Sequence, residues 1–153
     1  MNLPESIAKA CEPLFAASPL DRSMGRLTGS EPKHTELIAL VLDDPAIKGR
    51  SDLEAGLWLY VDDLDRSHNV SQSLTDSTGS FWHGIMHRRE GDFANSHYWM
   101  QKAAQHPLIT DEPRLDPDAL IDAVARARPD DPALVERQRA EWQALFEWCA
   151  NKV

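Results

Sequence analysis

The stretch SFWHGIMHRREGDFANSHYWMQKA, residues 80–103, decides the fold. Apolar and aromatic residues recur in it every three or four positions, which is the period of an amphipathic helix. Gly91 and Asp92 interrupt the pattern near its middle, and His106-Pro107 ends it. The stretch therefore predicts a helical hairpin, with one helix over residues 81–90 and a second over residues 94–105.

Helical periodicity also dominates the rest of the chain, and no segment alternates apolar and polar residues as a strand does. Proline supplies most of the predicted boundaries, because it fits the first helical turn and disfavours the helical conformation in the residue before it. The other predicted helices are residues 4–17, a segment from near Pro32 to before Pro45, residues 51–74, and two helices that begin at Asp116-Pro117 and Asp131-Pro132. Residues 18–33 are a predicted loop. The sequence thus predicts an all-α helical bundle, with residues 1–153 in a single domain.

The predicted helix over residues 51–74 changes character along its length. Ser51 and Glu54 have the spacing of a capping box at its start. Its inward-facing stripe is apolar at first and then turns polar, at Asp65, His68 and Gln72. A buried polar group without a partner costs about 1–3 kcal/mol, so these side chains should meet other polar groups.

The first helix of the hairpin offers such groups. His83, His87 and Glu90 are spaced four and three residues apart, which places them on one helical face. The short connection to the preceding helix predicts that the two helices are antiparallel neighbours. The sequence therefore predicts a polar pocket whose lining is Asp65, His68, Gln72, His83, His87 and Glu90.

This residue set is compatible with two kinds of chemistry and with a purely structural role. Imidazoles at His68, His83 and His87 are predicted metal ligands, because nitrogen ligands suit zinc, iron or manganese. A metal-bound water, or His68 or His87 acting as general base with Glu90 as its orienter, would hydrolyse a small molecule. A hydrogen-bond network in which Asp65 or Glu90 orients a histidine, without any ligand, explains the same pattern.

Composition excludes several other classes of function. The net charge of −9 and the sequence pI of about 5.0 disfavour nucleic acid as a partner. No stretch approaches the roughly 18 apolar residues of a membrane span. The two cysteines, Cys11 and Cys149, lack the spacing of a zinc site and suggest a reducing, cytoplasmic setting. The expected partner is a small molecule or a peptide of unknown identity.

Two resemblances extend the interpretation of the hairpin. Residues 80–107 resemble one tetratricopeptide or Sel1-like repeat, with Gly84, Gly91-Asp92-Phe93, Ser96, Ala103 and Pro107 at similar positions. Such repeats bind peptides and have no catalytic residues, which makes a non-catalytic peptide- or protein-binding module the alternative function. That alternative assigns the binding groove to Trp82 and Trp99.

The box WHGIMHRREGDFANSHYW, residues 82–99, with the upstream segment DDLDRSHNVSQ, residues 62–72, is also similar to a group of uncharacterised small bacterial and fungal proteins. This resemblance implies no activity. It implies that the following residues belong together, and so adds Arg88 and Asn95 to Asp65 and Gln72 as candidate ligand-binding residues: Asp65, His68, Gln72, His83, His87, Arg88, Glu90 and Asn95. A homo-oligomer formed by the terminal helices, residues 4–17 and 132–150, is a further possibility.

Overall fold

A computed structural model describes residues 1–152 of the chain, and this part is all-α, with no strand. A short 3-10 helix, Leu20–Arg22, lies in the predicted loop between the first two α-helices. The α-helices of the described residues are α1 (Glu5–Ala17), α2 (Thr35–Asp43), α3 (Ser51–Tyr60), α4 (Leu64–Ser71), α5 (Ser77–Glu90), α6 (Phe93–Lys102), α7 (Pro107–Asp111), α8 (Pro117–Arg126) and α9 (Pro132–Asn151). The all-α prediction is confirmed.

Helices α5 and α6 form the predicted hairpin. Gly91 ends α5 in the left-handed conformation, with φ of 86°, where a side chain would be strained. Asp92 then caps α6 by accepting a hydrogen bond from the Asn95 N–H. Ser96 donates a hydrogen bond of 2.6 Å to the carbonyl oxygen of Gly84, which fixes the two helices against each other. The likeness of this hairpin to a tetratricopeptide repeat stays a prediction.

The prediction of a single helix over residues 51–74 is wrong. The chain turns at residues 61–63 and forms two helices, α3 and α4. Asp62 adopts a left-handed conformation, with φ of 63°, and Asp63 caps α4 by accepting a hydrogen bond from the Arg66 N–H. Arg89 holds this turn from α5, donating to the carbonyl oxygen of Leu59 at 2.7 Å and to Asp62 Oδ1 at 2.5 Å. We call residues 61–63 the elbow. The elbow therefore has a local component, the Asp63 cap, and a distant one, the Arg89 contacts, which come from 27 residues further along the chain.

The predicted helix starts had different outcomes. The capping box at Ser51 is wrong: Arg50 occupies the cap position of α3 without a side-chain cap, and Glu54 instead accepts a hydrogen bond from Trp58. The starts at Asp116 and Asp131 are confirmed, because each aspartate caps its helix ahead of a proline in the first turn. Helix α5 begins four residues before the predicted Phe81, where Asp76 accepts a hydrogen bond from the Gly79 N–H.

The main core draws residues from both ends of the chain. The rings of Trp142 and Phe146 on α9 stack at 4.7 Å, and Trp82 on α5 is completely buried beside them. Gly56 permits this approach, because a Cβ there would lie 2.7 Å from the Trp82 ring. The apolar faces of α1 and α9 pack into this core. Within residues 1–152, no helix combines the length and apolar character needed to cross a membrane.

Candidate functional site

Three histidines from α4 and α5 converge on a common space. Each of His68, His83 and His87 offers one ring nitrogen, and these three nitrogens all lie within 4.8 Å of one another. The ring centroids are 4.7 Å apart for His68 and His83, 5.4 Å for His68 and His87, and 4.9 Å for His83 and His87. We call these three residues the histidine cluster. The structure thus brings the predicted metal ligands together from two adjoining helices.

His83 is the most enclosed member of the cluster. Its ring stacks on Trp99 of α6 at a centroid distance of 3.8 Å and is 3% exposed. The Nδ1 atom of His83 is buried and has no hydrogen-bond partner. Burial, together with the neighbouring His87 and His68, lowers the pKa of His83 to about 4. The ring is therefore neutral at physiological pH and keeps a lone pair available to a ligand.

Glu90 orients the second imidazole of α5. Its Oε1 lies 2.6 Å from Nδ1 of His87, one turn earlier on the same helix. A carboxylate at Nδ1 favours the tautomer with the proton there, which leaves the Nε2 lone pair free. Asp92, in the hairpin turn, adds a second carboxylate, and the ligand atoms of His87, Glu90 and Asp92 also lie within 4.8 Å of one another.

The structure separates the other predicted ligand-binding residues from the cluster or places them at its margin. Asp65 lies in the first turn of α4 and Gln72 follows its last residue, and both side chains are exposed. The elbow explains this, because α4 starts a new helical phase and does not continue the buried stripe of α3. Asn95 is exposed and donates a hydrogen bond of 2.7 Å to Asp92.

Arg88 points away from the histidine cluster and is completely buried. Its Nη1 donates a hydrogen bond of 2.7 Å to Oε2 of Glu141 on α9, and burial raises the pKa of Glu141. Arg89 is equally buried and pairs with Asp62. Both arginines thus pair with acidic residues that lie far from them along the chain. Sequence spacing carries no signal for Glu141, which lies 53 residues from Arg88.

The remaining aromatic and histidine residues of the hairpin have distinct environments. Trp82 is buried in the core, so it does not offer a surface to a peptide as the binding-module alternative requires. Tyr98 is exposed. His97 on α6 contacts Asp118 at 2.7 Å and Asp122 at 2.9 Å, both on α8. His106 caps α7 by accepting a hydrogen bond from the Leu108 N–H, and its ring is buried.

Comparisons of the chain with protein-family models, with curated proteins and with solved structures find no match. The likeness of residues 82–99 to a group of small proteins therefore stays a prediction.

Proposed function

We propose that the chain binds a divalent transition metal ion through His68, His83 and His87 and uses it to hydrolyse a small molecule. The observation that carries the proposal is the convergence of three ring nitrogens within 4.8 Å of one another. Three imidazoles with a remaining open position are the ligand set of catalytic zinc sites, and iron and manganese also accept imidazole.

The environment of each histidine supports metal binding. A metal ion needs a neutral imidazole, and the pKa of about 4 keeps His83 in that form at neutral pH. Nδ1 of His83 has no hydrogen-bond partner, so no protein group at that atom competes with an ion for the ring. Glu90 supplies the carboxylate that commonly supports a metal-ligating histidine from behind.

The exposure of the cluster supports a catalytic role over a closed structural one. His68 is partly exposed, and the Glu90 side chain is 40% exposed. An ion held there would retain an open side, where a bound water loses a proton more readily than free water. His68, His83 and His87 would hold the ion, which would supply a water activated for attack on an ester, amide or phosphoester of a small substrate. Glu90 would accept the proton of that water and return it to the leaving group.

Metal content is the direct test. Protein purified without a histidine tag should contain about one equivalent of zinc, iron or manganese. His68→Asn should lose it, because this partly exposed ligand can be replaced without disturbing the core. His97→Gln is the matched control and should retain the metal, since its ring contacts α8. Absence of stoichiometric metal, together with no thermal stabilisation by any of the three ions, would exclude the metal site.

Hydrolysis is tested separately with nitrophenyl esters and bis(nitrophenyl) phosphate. We expect metal-dependent turnover that falls in Glu90→Gln while its metal content is preserved. A metal-free mechanism is the second candidate function, favoured by the His87–Glu90 hydrogen bond of 2.6 Å. Turnover that survives complete chelation but fails in His87→Asn would support that candidate. Absence of turnover with bound metal would reduce the proposal to metal binding alone.

A further inference from the structure

One contact of the histidine cluster comes from a third helix. The ring of Trp99 on α6 lies against the ring of His83 at a centroid distance of 3.8 Å, and the two planes are inclined by only 10°. The hairpin fixes this approach, because Ser96, three residues earlier on α6, donates its hydrogen bond to the carbonyl oxygen of Gly84, the residue after His83. A flat apolar surface therefore covers the ring of one proposed metal ligand.

The plane of an imidazole ring decides from which direction it can bind an ion. The torsion that rotates the ring about its bond to Cβ has broad minima, so contacts with neighbouring groups set the plane. The lone pair of a ring nitrogen lies in that plane and turns with it. In most metal sites, a hydrogen bond at the second ring nitrogen holds the ring in its ligating orientation.

The two histidines of α5 are held in different ways. Glu90 Oε1 lies 2.6 Å from Nδ1 of His87, so that ring has the usual hydrogen bond. Nδ1 of His83 is buried and has no hydrogen-bond partner. The ring of His83 is instead nearly parallel to two other rings, that of Trp99 at 3.8 Å and that of His87 at 4.9 Å. The closer of these contacts is the one with Trp99.

We propose that Trp99 is a positioning residue of the metal site. Its stacking fixes the plane of the His83 ring, where no hydrogen bond at Nδ1 does so. The consequence for affinity rests on the proposed binding of an ion by the histidine cluster: a ring already held in the ligating plane loses less freedom when the ion binds. Trp99 itself does not contact the ion and acts through His83.

His106 and Trp148 form a comparable pair away from the cluster. His106 is completely buried, and its ring centroid lies 4.4 Å from that of Trp148. Both of its nitrogens have partners, however: Nδ1 accepts a hydrogen bond from the Leu108 N–H, and Nε2 lies 3.3 Å from Oγ1 of Thr78. This ring is held without its tryptophan. Because Trp148 and Trp99 are both half-buried, Trp148 is the matched control.

Zinc affinity tests the consequence for the ion. The dissociation constant is measured at neutral pH, by competition with a chromogenic chelator, for the unmodified chain, Trp99→Leu, Trp99→Phe and Trp148→Leu. We expect Trp99→Leu to bind zinc about 10–100-fold more weakly, which is the usual loss when a group that orients a metal ligand is removed. Trp99→Phe keeps a planar face and should rescue most of this loss, and Trp148→Leu should bind zinc as the unmodified chain does. An equal loss in Trp148→Leu, or no loss in Trp99→Leu, would overturn the proposal.

Crystal structures of the metal-free unmodified chain and Trp99→Leu test the geometry without any ion. In the variant we expect the His83 ring to rotate, so that its nitrogen no longer lies within 4.8 Å of those of both His68 and His87. An unchanged ring plane would overturn the proposal whatever the zinc affinities. If the unmodified chain binds no zinc, the proposed function fails, and these structures alone decide whether Trp99 positions His83.

A second variant guards against loss of the fold. Should Trp99→Leu fail to fold, Trp99→Met takes its place in both measurements, because methionine keeps much of the apolar bulk but has no planar face. The same results are expected of it, and the same results would overturn the proposal.

Discussion

Helix α5 carries two pairs of buried polar residues whose environments differ. Arg88 and Arg89 each have a carboxylate partner on another element, Glu141 and Asp62 respectively. The guanidiniums are not fully hydrogen-bonded, since Arg88 Nε and Nη2 and Arg89 Nε are buried without a partner, but each arginine joins α5 to another element. His83 is also buried, and its Nδ1 has no hydrogen-bond partner. The arginines therefore hold helices together, whereas no protein group holds the His83 ring at Nδ1. A buried polar side chain that has no charged partner in the fold is the better indicator of ligand binding.

The largest expected effect comes from breaking an arginine pair. Arg89→Met leaves the carboxylate of Asp62 buried without its main partner and removes the donor to the Leu59 carbonyl. We expect the free energy of unfolding to fall by about 3–5 kcal/mol, measured by urea denaturation. Arg128→Met, at an arginine whose side chain is 83% exposed, is the control and should change stability by less than about 1 kcal/mol. Equal effects of the two substitutions would contradict the role assigned to Arg89.

The ion pair between Arg88 and Glu141 allows two quantities to be separated: the cost of breaking the pair and the net contribution of the pair to the free energy of unfolding. Arg88→Met and Glu141→Leu should each destabilise the fold by about 3–5 kcal/mol, because each leaves a buried charge alone. The double substitution should be far closer to the unmodified protein than the sum of the single effects. Additive losses in a double-mutant cycle would mean that the two side chains act independently.

A substitution in the histidine cluster should change the free energy of unfolding little, in contrast to the loss of a buried arginine. His83→Phe keeps an aromatic ring against Trp99 and removes the unpartnered nitrogen. Without added metal, we expect stability to stay within about 1 kcal/mol of the unmodified protein. With added zinc, the unmodified protein should gain about 2.7 kcal/mol at a hundredfold excess over the dissociation constant, and the variant should gain nothing. A loss above about 2 kcal/mol without metal would place His83 among the structural residues.

The smallest effect concerns His97, the surface counterpart of the buried histidines. Hydrogen bonding to Asp118, and also to Asp122, raises the pKa of His97. Because both ring nitrogens face carboxylates, the contact is strongest when the ring carries both protons. Its contribution is therefore fully present below the unfolded pKa of about 6.5 and is lost as pH rises through the raised pKa of the folded state.

Thermal melts of the unmodified protein and His97→Gln across this pH range measure that contribution. The difference in melting temperature should be largest at the acidic end and shrink as the pH rises. A difference that is constant across the range would show that protonation of His97 does not contribute to the contact between α6 and α8.

Local sequence signals predicted much of the fold. Gly91, the aspartate caps ahead of prolines and the helical periodicity gave the hairpin and the later helix starts, because each acts within a few residues. The elbow was missed: the Asp63 cap is a local signal that the apparent continuity of the helical stripe masked, and the Arg89 contacts come from a distant helix. The same error misplaced Asp65 and Gln72, whose predicted inward direction assumed one continuous helix.

The part of the candidate site that depends on local spacing could also be predicted from the sequence. The spacing of His83 and His87 fixed their common face, and the short connection between helices brought His68 opposite them. The partner of Arg88, Glu141, lies 53 residues further along the chain. Helical periodicity carries no information about a contact over that separation, so this pair could not be predicted from the sequence.

The elbow also has a thermodynamic consequence for the histidine cluster. Arg89 binds the end of α3 and the elbow from the same helix that carries His83 and His87, so α4 and its His68 are anchored relative to them. The entropy of bringing the three rings together is thus lost during folding and would not be lost again if the proposed ion bound there. A site preorganised in this way binds more tightly than the same three side chains on independently moving helices.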